Sequence, residues 1–467
     1  MTEKISFTLR ESPVARWVAL VLLASTMFFA YMFIDVLAPL STMLEQNLKW
    51  SPDTFGTVAG SEYFLNVFVF FLIFAGIILD KMGVRFTAIL SGIVMVAGAS
   101  IKLYGVSELF NNGGFGYEFF NSFWVDFPGS AKVASIGFAI FGCGVEMAGV
   151  TVSKGIVKWF KGKELALAMG LEMAIARLGV FAVFRLSPVL AASGMISRSV
   201  GVVTLFLLIG LLTFIIYFFL DKKLETQDKN ATEQADPEEE FKISDLKAIF
   251  TSKTFLIVAG LCVLFYSAIF PFQKFATGML ESRLNMTTSE ASSLFSYFPI
   301  GAMILTPLLG WFIDNRGKGA SMLMIGSMLL VICHLIFALT PTAYFTFGIA
   351  LTAIIILGIS FSLVPAALWP SVPKLVDNRV LGSAYSIIFW IQNIGLMLTP
   401  IVIGWALKAS NPGVAEQIAG GEIAKYNYAV PMFIFAGLGV IAFILGIWLK
   451  SEDKKKGYGL ELPNVKK

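Results

Sequence analysis

The sequence has few charged residues, one histidine and three cysteines, and each scarcity excludes a class of protein. Asp, Glu, Lys and Arg make up 14% of the 467 residues, whereas a soluble domain carries about 25%, so an ordinary soluble fold is excluded. With a single histidine and no HExxH or GxSxG motif, an enzyme active site within a membrane is not expected. The cysteines lack metal-ligand spacing and no GxxxxGKS or GxxxxGKT loop is present, so we expect no metal, no cofactor and no direct coupling to nucleotide hydrolysis.

Apolar residues are abundant instead. The chain is 57% hydrophobic and contains 44 phenylalanines. A transmembrane helix needs about 20 largely apolar residues, and twelve stretches meet this requirement, at approximately residues 17–38, 56–79, 86–105, 131–154, 165–192, 200–220, 254–280, 291–313, 320–340, 343–369, 381–407 and 428–449. The sequence therefore predicts an all-α membrane protein with twelve transmembrane helices. The net charge of +4 is not concentrated in one basic element, so the expected partner is a lipid bilayer and not a nucleic acid.

One long polar stretch divides the twelve segments into six and six. The predicted units are an N-terminal bundle (1–220), a linker (221–253), a C-terminal bundle (254–450) and a tail (451–467).

Charges in the loops predict the orientation of the protein in the membrane. If both termini are cytoplasmic, 25 of the Lys and Arg residues fall on the cytoplasmic side and 7 on the opposite side. Because cytoplasmic loops carry the excess of basic residues, we expect both termini in the cytoplasm.

The loops after the second and eighth segments carry the same motif, 234 residues apart. Its positions are Gly76, Asp80, Gly83 and Arg85 in the first copy and Gly310, Asp314 and Gly317 in the second, where Gly319 replaces the final basic residue. Such a repeat predicts two parallel halves. We expect the glycines to allow tight turns and close helix approach, and the charged residues to hold neighbouring helix ends in one conformation.

This motif resembles the loop signature G-x-x-x-D-x-x-G-x-R/K of the major facilitator superfamily. The resemblance extends over essentially the whole chain. It implies two six-helix bundles that flank a central cavity, which opens alternately to each side of the membrane and binds its solute near the middle. Because the fold alone does not name a solute, the solute has to be inferred from polar residues within the apolar segments.

Glu146 and Arg177 are charged residues in the middle of adjacent apolar segments. An ionisable residue at that depth costs about 3 kcal/mol or more and usually faces a protein interior or a solute path. Since a guanidinium cannot lose its charge in a protein, Arg177 needs an acidic partner or an anionic ligand. Glu146 is the predicted partner in the empty protein, and the two ends of a zwitterion would then replace each half of this pair. The alternative for Glu146 is a structural acid that is hydrogen-bonded within the bundle.

Four further charged residues are candidates for gating or coupling. Asp35 and Glu62 lie near the external ends of the first two segments, and Lys274 can pair with Asp35 across the two halves to form an external gate. Arg185 either lines the entrance or extends its charge to the membrane surface. Glu146, Asp35 and Glu62 are each candidates for binding a proton, and the sequence does not decide between uniport and proton symport.

Motifs in the second half narrow the resemblance. Residues 362–373, 381–385 and 391–395, together with the loop 159–165, Glu146 and Arg177, look like the branch of the superfamily that contains the lysosomal dipeptide transporters. The resemblance implies that Glu146 engages the amino end and Arg177 the carboxyl end of a dipeptide. It also implies that Trp369, Tyr385 and Asn393 line the pocket, although Trp369 fits simple helix packing equally well.

The expected function is secondary transport of small zwitterionic peptides, dipeptides in particular, by alternating access. The alternatives are a facilitator for another organic anion or sugar acid, and a receptor that binds a solute without transporting it. A bacterial cytoplasmic membrane is favoured over a lysosomal membrane, because the sorting tails of the animal proteins are not evident and the loop 111–130 has no recognised counterpart. Whether an accessory protein is needed stays open.

Overall fold

The computed structural model describes residues 9–160, 163–228, 250–376 and 381–463, and these ranges contain helices and turns but no strand. Helices 1 to 6 are Pro13–Ile34; Pro52–Ser61 with Phe64–Phe68 and residues 71–82; residues 84–106; Gly129–Phe160; Leu165–Leu190; and Ile196–Asp228. Helices 7 to 12 are Lys253–Leu284; Thr288–Phe295 with Tyr297–Arg316; Gly319–Leu339; Phe347–Leu375; Leu381–Ala409; and Ala429–Lys456. The predicted all-helical membrane fold is confirmed.

Eleven helices in the described ranges are long and apolar enough to cross a membrane. This number is one lower than predicted because helix 2 is interrupted, and because its last part runs into helix 3 within the continuous element Phe71–Val106. That element has a non-helical residue, Gly83, with φ 78° and ψ 168°, a conformation that glycine adopts without steric cost. Each of the twelve predicted segments therefore corresponds to a described helix.

Local sequence signals explain where several helices begin. Ser12 precedes Pro13 and its hydroxyl accepts a hydrogen bond from the Ala15 backbone N–H, which is a standard helix N-terminus. Thr287 and Glu290 form a reciprocal capping box at the start of helix 8. Helix 6 continues beyond the predicted boundary to Asp228, and helix 12 continues to Lys456. Most of the predicted linker, residues 229–249, lies outside the described residues.

We call the face of the molecule where the described chain begins and ends the near side. The opposite face is the far side. The far side carries the short helices Ser41–Leu48, Glu108–Asn111, Tyr117–Ser122 and Val414–Ala419. On the near side, residues 457–463 pack against the second half. The Lys318 and Gly319 N–H groups donate to the Glu461 and Leu460 carbonyls, at 3.0 Å each. The Glu461 carboxylate also accepts from the Ser321 N–H at 2.7 Å, so the chain end caps helix 9.

Helix 2 and helix 11 form the tightest contact between the two halves. Gly56 lies against the backbone of Pro400, Gly60 against that of Met397, and Gly404 against that of Pro52. A side chain at any of these glycines would overlap the opposite backbone, so the close approach depends on their lacking one. Hydrogen bonds and ring contacts described below also join the halves at the far side. The structure is therefore a conformation whose far side is closed.

Candidate substrate site between the two halves

Arg177 lies in the middle of helix 5, half-buried between the halves. Its guanidinium carbon is 5.6 Å from the ring centroid of Tyr31 in helix 1, 5.4 Å from that of Phe270 in helix 7 and 4.9 Å from that of Phe361 in helix 10. Aromatic faces stabilise a cation, but they do not satisfy its N–H donors. Among the described residues, no carboxylate forms an ion pair with Arg177, so the site presents a positive charge that can receive an anion.

Glu146 is half-buried in helix 4 and faces helix 11. Its Oε1 accepts a hydrogen bond from Asn393 Nδ2 at 3.2 Å. This contact crosses between the halves, because helix 4 belongs to the first and helix 11 to the second. Glu146 therefore faces the interior of the molecule and not lipid, as a residue that binds a solute requires.

The predicted ion pair between Glu146 and Arg177 is wrong for this conformation. Both residues are described, and they form no ion pair with each other. The physical reason is the direction of the side chains: Glu146 turns toward Asn393 in helix 11, whereas Arg177 turns into the rings of helices 1, 7 and 10. The acid and the base thus occupy two separate positions between the halves, and each has its own neighbours.

Trp369 belongs to an aromatic surface of the second half. Its indole N–H donates to the Tyr266 hydroxyl at 3.2 Å, its ring stacks on Phe389 with a centroid distance of 4.9 Å, and the Tyr385 hydroxyl donates to its carbonyl at 3.2 Å. Tyr266 in turn stacks on Phe270 at 5.5 Å, which also contacts Arg177. The aromatic surface is therefore continuous from Tyr385 to the Arg177 guanidinium.

Asp35 and Lys274 form the buried ion pair that the sequence analysis offered as an external gate. Lys274 Nζ lies 2.8 Å from Asp35 Oδ1 and 2.8 Å from the Ile34 carbonyl. Gln273 Nε2 donates to Asp35 Oδ2 at 2.5 Å. Both side chains are less than one tenth exposed. The contact between the halves is present; its role as a gate stays a prediction.

Arg185 also joins the halves. Its Nε donates to Ser296 Oγ at the start of the second part of helix 8, at 2.9 Å, and its guanidinium lies 5.8 Å from the Tyr297 ring. The Ser292 hydroxyl donates to the Phe184 carbonyl beside it. Helices 5 and 8 are thus tied on the far side by a polar contact and by packing.

Glu62 and Asn66 lie in the interrupted part of helix 2, and each is only 2% exposed. Glu62 Oε2 and both amide atoms of Asn66 are buried, and none of these atoms has a hydrogen-bond partner within the part of the chain that the structure describes. The interruption is supported by helix 11, where Trp390 donates to the Val67 carbonyl at 3.1 Å and stacks on Phe70. Phe70 adopts a left-handed φ of 55°, which is uncommon for a residue with a side chain.

The first copy of the loop motif connects helices within the first half. Asp80 accepts from Lys154 Nζ of helix 4 at 2.6 Å, and Arg85 contacts Asp221 at 3.9 Å and Glu225 in helix 6. A Cβ placed on the motif glycines Gly76, Gly83 or Gly310 would meet no atom of the described residues within 4 Å. The close approach expected at these glycines is therefore not made between the described helices in this conformation. Gly317 has φ 73° and lies at the turn that contacts the chain end.

A groove of about 560 Å³ opens on the far side between the halves, lined by Thr42, Glu281 and residues 418–419 and 421–425. It contains none of the predicted substrate residues. The Phe55 and Phe275 rings, whose centroids are 5.4 Å apart, line the narrow space next to it. We assign this groove to the closed far-side entrance and not to the substrate site.

Sequence reasoning missed Tyr31, Phe270 and Phe361 around Arg177, because nothing distinguishes these rings in a chain with 44 phenylalanines. It also missed Asn66, whose polar side chain within an apolar stretch was an available signal. Lys102, one of the seven basic residues that the orientation count placed on the side opposite the cytoplasm, is 1% exposed inside helix 3. Its ammonium lies 3.3 Å from the Phe138 ring centroid.

The helix arrangement and its internal repeat agree with a match to a known family. The sequence model of the Major Facilitator Superfamily matches residues 23–400 and 280–462. The chain belongs to the Major Facilitator Superfamily. It is accordingly a multi-pass membrane protein, and its homologues and fold are those of transporters of small molecules.

Among its relatives within the superfamily are proteins named lysosomal dipeptide transporter MFSD1. The Mus musculus protein is 29% identical over 409 residues, which cover 84% of this chain and 80% of the relative. The Homo sapiens protein is 28% identical over 406 residues, with the same coverage of 84% and 80%. The Danio rerio protein is 28% identical over 390 residues, covering 81% of this chain and 77% of the relative. The resemblance to this branch is confirmed.

Solved transporters of the superfamily share the fold at low sequence identity. The nucleoside transporter NupG has a TM-score of 0.66 at 15% identity and covers 92% of this chain and 99% of its own. A bacterial homologue of the human lysosomal transporter Spinster, in an inward-facing and occupied conformation, has a TM-score of 0.67 at 14% identity, covering 95% and 98%. At such identities the structural similarity supports the fold but does not identify the solute.

Proposed function

We propose that this protein is a secondary transporter that carries dipeptides across a membrane by alternating access. The observation that carries the proposal is the Arg177 guanidinium, which is held between the halves by three rings and by no carboxylate of the described residues. An unpaired guanidinium at mid-depth is expensive, so its function is to receive an anion. The similarity to the dipeptide transporters supports a peptide carboxylate as that anion.

Glu146 and Asn393 are proposed to bind the peptide amino end. A carboxylate and a neighbouring amide oxygen are suitable acceptors for the three N–H donors of an ammonium. Because Glu146 and Arg177 are not bonded to each other, the peptide does not have to break an ion pair on entering. Two fixed charged positions select a solute of defined length, and the aromatic surface around Trp369 and Tyr385 accommodates varied side chains.

In the proposed cycle, the protein alternates between this conformation, whose far side is closed, and a second conformation, whose near side is closed. In this conformation the Asp35–Lys274 pair and the contacts of Arg185 hold helices 1, 5, 7 and 8 together on the far side. In the opposite conformation the loop motifs around Asp80 and Asp314 would join the near-side ends of the two halves. From the positive loops we propose that the near side is cytoplasmic, in a bacterial cytoplasmic membrane, and that the protein has no enzymatic activity.

The test is exchange of labelled dipeptide into proteoliposomes that are preloaded with unlabelled dipeptide. A hydrogen bond to a charged group contributes about 1.5–3 kcal/mol, so Arg177→Ala and Glu146→Gln are each expected to lower exchange by about tenfold or more. The matched control is Arg198→Ala, which removes an exposed arginine from the start of helix 6 and should leave exchange unchanged.

Unchanged exchange in Arg177→Ala, with the protein correctly inserted, would overturn the proposal. If Glu146→Gln exchanges normally while Arg177→Ala does not, the solute is an organic anion without an amino group. Binding of a dipeptide without exchange would instead indicate a receptor.

A further inference from the structure

The interruption of helix 2 contains a carboxyl group whose hydrogen bonding is incomplete. Glu62 is 2% exposed, and its Oε2 is buried without a hydrogen-bond partner among the described residues. An ionised carboxylate with an unpaired buried oxygen loses its hydration without compensation, at a cost of several kcal/mol. A neutral carboxyl group avoids most of that cost.

The other two candidate acids are bonded differently. Asp35 accepts from Lys274 and from Gln273, which is the environment of an ionised carboxylate. Glu146 is half-buried, accepts from Asn393 and belongs to the proposed solute site. The sequence analysis gave three acids as candidates for binding a proton. Of these three, Glu62 has a buried oxygen without a partner among the described residues.

The charged groups around Glu62 come from four helices. Asp35 of helix 1, Lys102 of helix 3, Glu146 of helix 4 and Lys274 of helix 7 all act on it electrostatically. The Lys274 ammonium is already committed to Asp35 at 2.8 Å, and the Lys102 ammonium rests on the Phe138 ring. Helix 11 contributes the neutral Met397 beside Gly60. Among the described basic residues, neither Lys102 nor Lys274 donates a hydrogen bond to Glu62.

We propose that Glu62 is a proton-binding site, and that it must hold a proton for the empty protein to close its far side. Helix 2 is packed at this point between helix 4, where Gly142 contacts the Glu62 backbone, and helix 11, where Met397 contacts Gly60. Opening the far side separates helix 2 from helix 11 and admits water to Glu62. The hydrated carboxyl group then releases its proton to the far side. Asn66 lies four residues on, its amide N–H has no partner in the described ranges, and it is a donor for the carboxylate.

The sign of the pH effect follows from linkage. The closed conformation binds one more proton at Glu62 than the open conformation, so raising the pH favours the open far side. This inference goes beyond the proposed function, because it concerns the empty protein and holds whatever solute is carried.

The experiment measures the distance between two spin labels on the far side, in the full-length protein in lipid nanodiscs without solute. Labels are attached at Gln46→Cys and Glu422→Cys, which are exposed on opposite halves, after replacement of the three buried cysteines. We expect a short distance at low pH and a growing population of a longer distance as the pH rises. Glu62→Gln should keep the short distance throughout the pH range.

Two controls separate Glu62 from other acids. Glu172→Gln neutralises another acid of the spanning helices, and we expect it to keep the pH response. Glu62→Asp keeps a titratable group and should therefore keep the pH response. Such a response would show that replacing the Glu62 side chain does not by itself abolish the conformational change. Glu45 and Glu281 also bond across the halves, and we expect no pH response from them once Glu62 is replaced by Gln. A distance that does not change with pH in the labelled parent protein, or the same response in Glu62→Gln, would overturn the proposal.

Discussion

At the scale of single residues, the site combines a base that pairs with no carboxylate of the described residues and an acid whose described partner is a neutral amide. Each ring over Arg177 contributes about 0.5–2 kcal/mol to holding the charge, which offsets part of its desolvation without satisfying its donors. Glu146 has one amide as its partner. The described residues do not fully compensate either charge, so a zwitterion gains more from this site than a neutral molecule does.

The Asp35–Lys274 pair provides a prediction at the same scale. Breaking a buried ion pair by removing one partner costs about 3–5 kcal/mol, because the other charge remains buried. Lys274→Met should therefore lower the thermal stability of the purified protein and abolish transport. The double variant Asp35→Asn/Lys274→Met removes both charges, and its melting temperature should recover above that of the single variant. Additive losses in the double variant would contradict a direct interaction between the two side chains.

Some residues of the site were predictable from the sequence and others were not. Glu146, Arg177, Asp35 and Lys274 stand out because charge is rare in apolar segments, and opposite charges made the Asp35–Lys274 contact a reasonable expectation. The pairing of Glu146 with Arg177 was wrong because it depends on how helices 4 and 5 are rotated, which no spacing along the chain specifies. The rings around Arg177 have no sequence signal of their own.

At the scale of helices, the backbone contact between helix 2 and helix 11 determines how far the far side can close. Gly60 lies against the Met397 carbonyl with no room for a side chain. Helix 2 is also interrupted beyond this point, between Ser61 and Phe71. The apolar stretch at 56–79 predicted the helix but not the interruption, because the left-handed Phe70 is stabilised by Trp390 from a distant part of the chain.

Gly60→Val should oppose closure of the far side. Overpacking costs about 1–3 kcal/mol, which shifts the equilibrium between the two conformations by about 5- to 150-fold. In the labelled protein described above, we expect the longer far-side distance to dominate at low pH. Gly437→Val is the matched control, because a Cβ at Gly437 meets no atom within 4 Å and should leave the distance unchanged. A short distance in Gly60→Val would show that the contact does not limit closure.

At the scale of the whole molecule, the repeat and the apolar segments were enough to predict two parallel halves, and the family match agrees. The sequence did not predict the conformation, since alternating access uses one sequence for two arrangements. The closed far side follows from contacts between residues more than one hundred positions apart, such as Asp35 with Lys274 at 2.8 Å and Asp53 with Lys408 at 3.1 Å.

The proposed recognition of both ends of a dipeptide is tested most directly by competition in the exchange assay. Unlabelled dipeptide, its N-acetylated form, its C-amidated form and the matching single amino acid are compared as competitors of labelled dipeptide in proteoliposomes. We predict strong competition by the free dipeptide and at least about tenfold weaker competition by each modified form, because each loses one charge-assisted contact. Equal competition by the free and the doubly modified dipeptide would contradict the account.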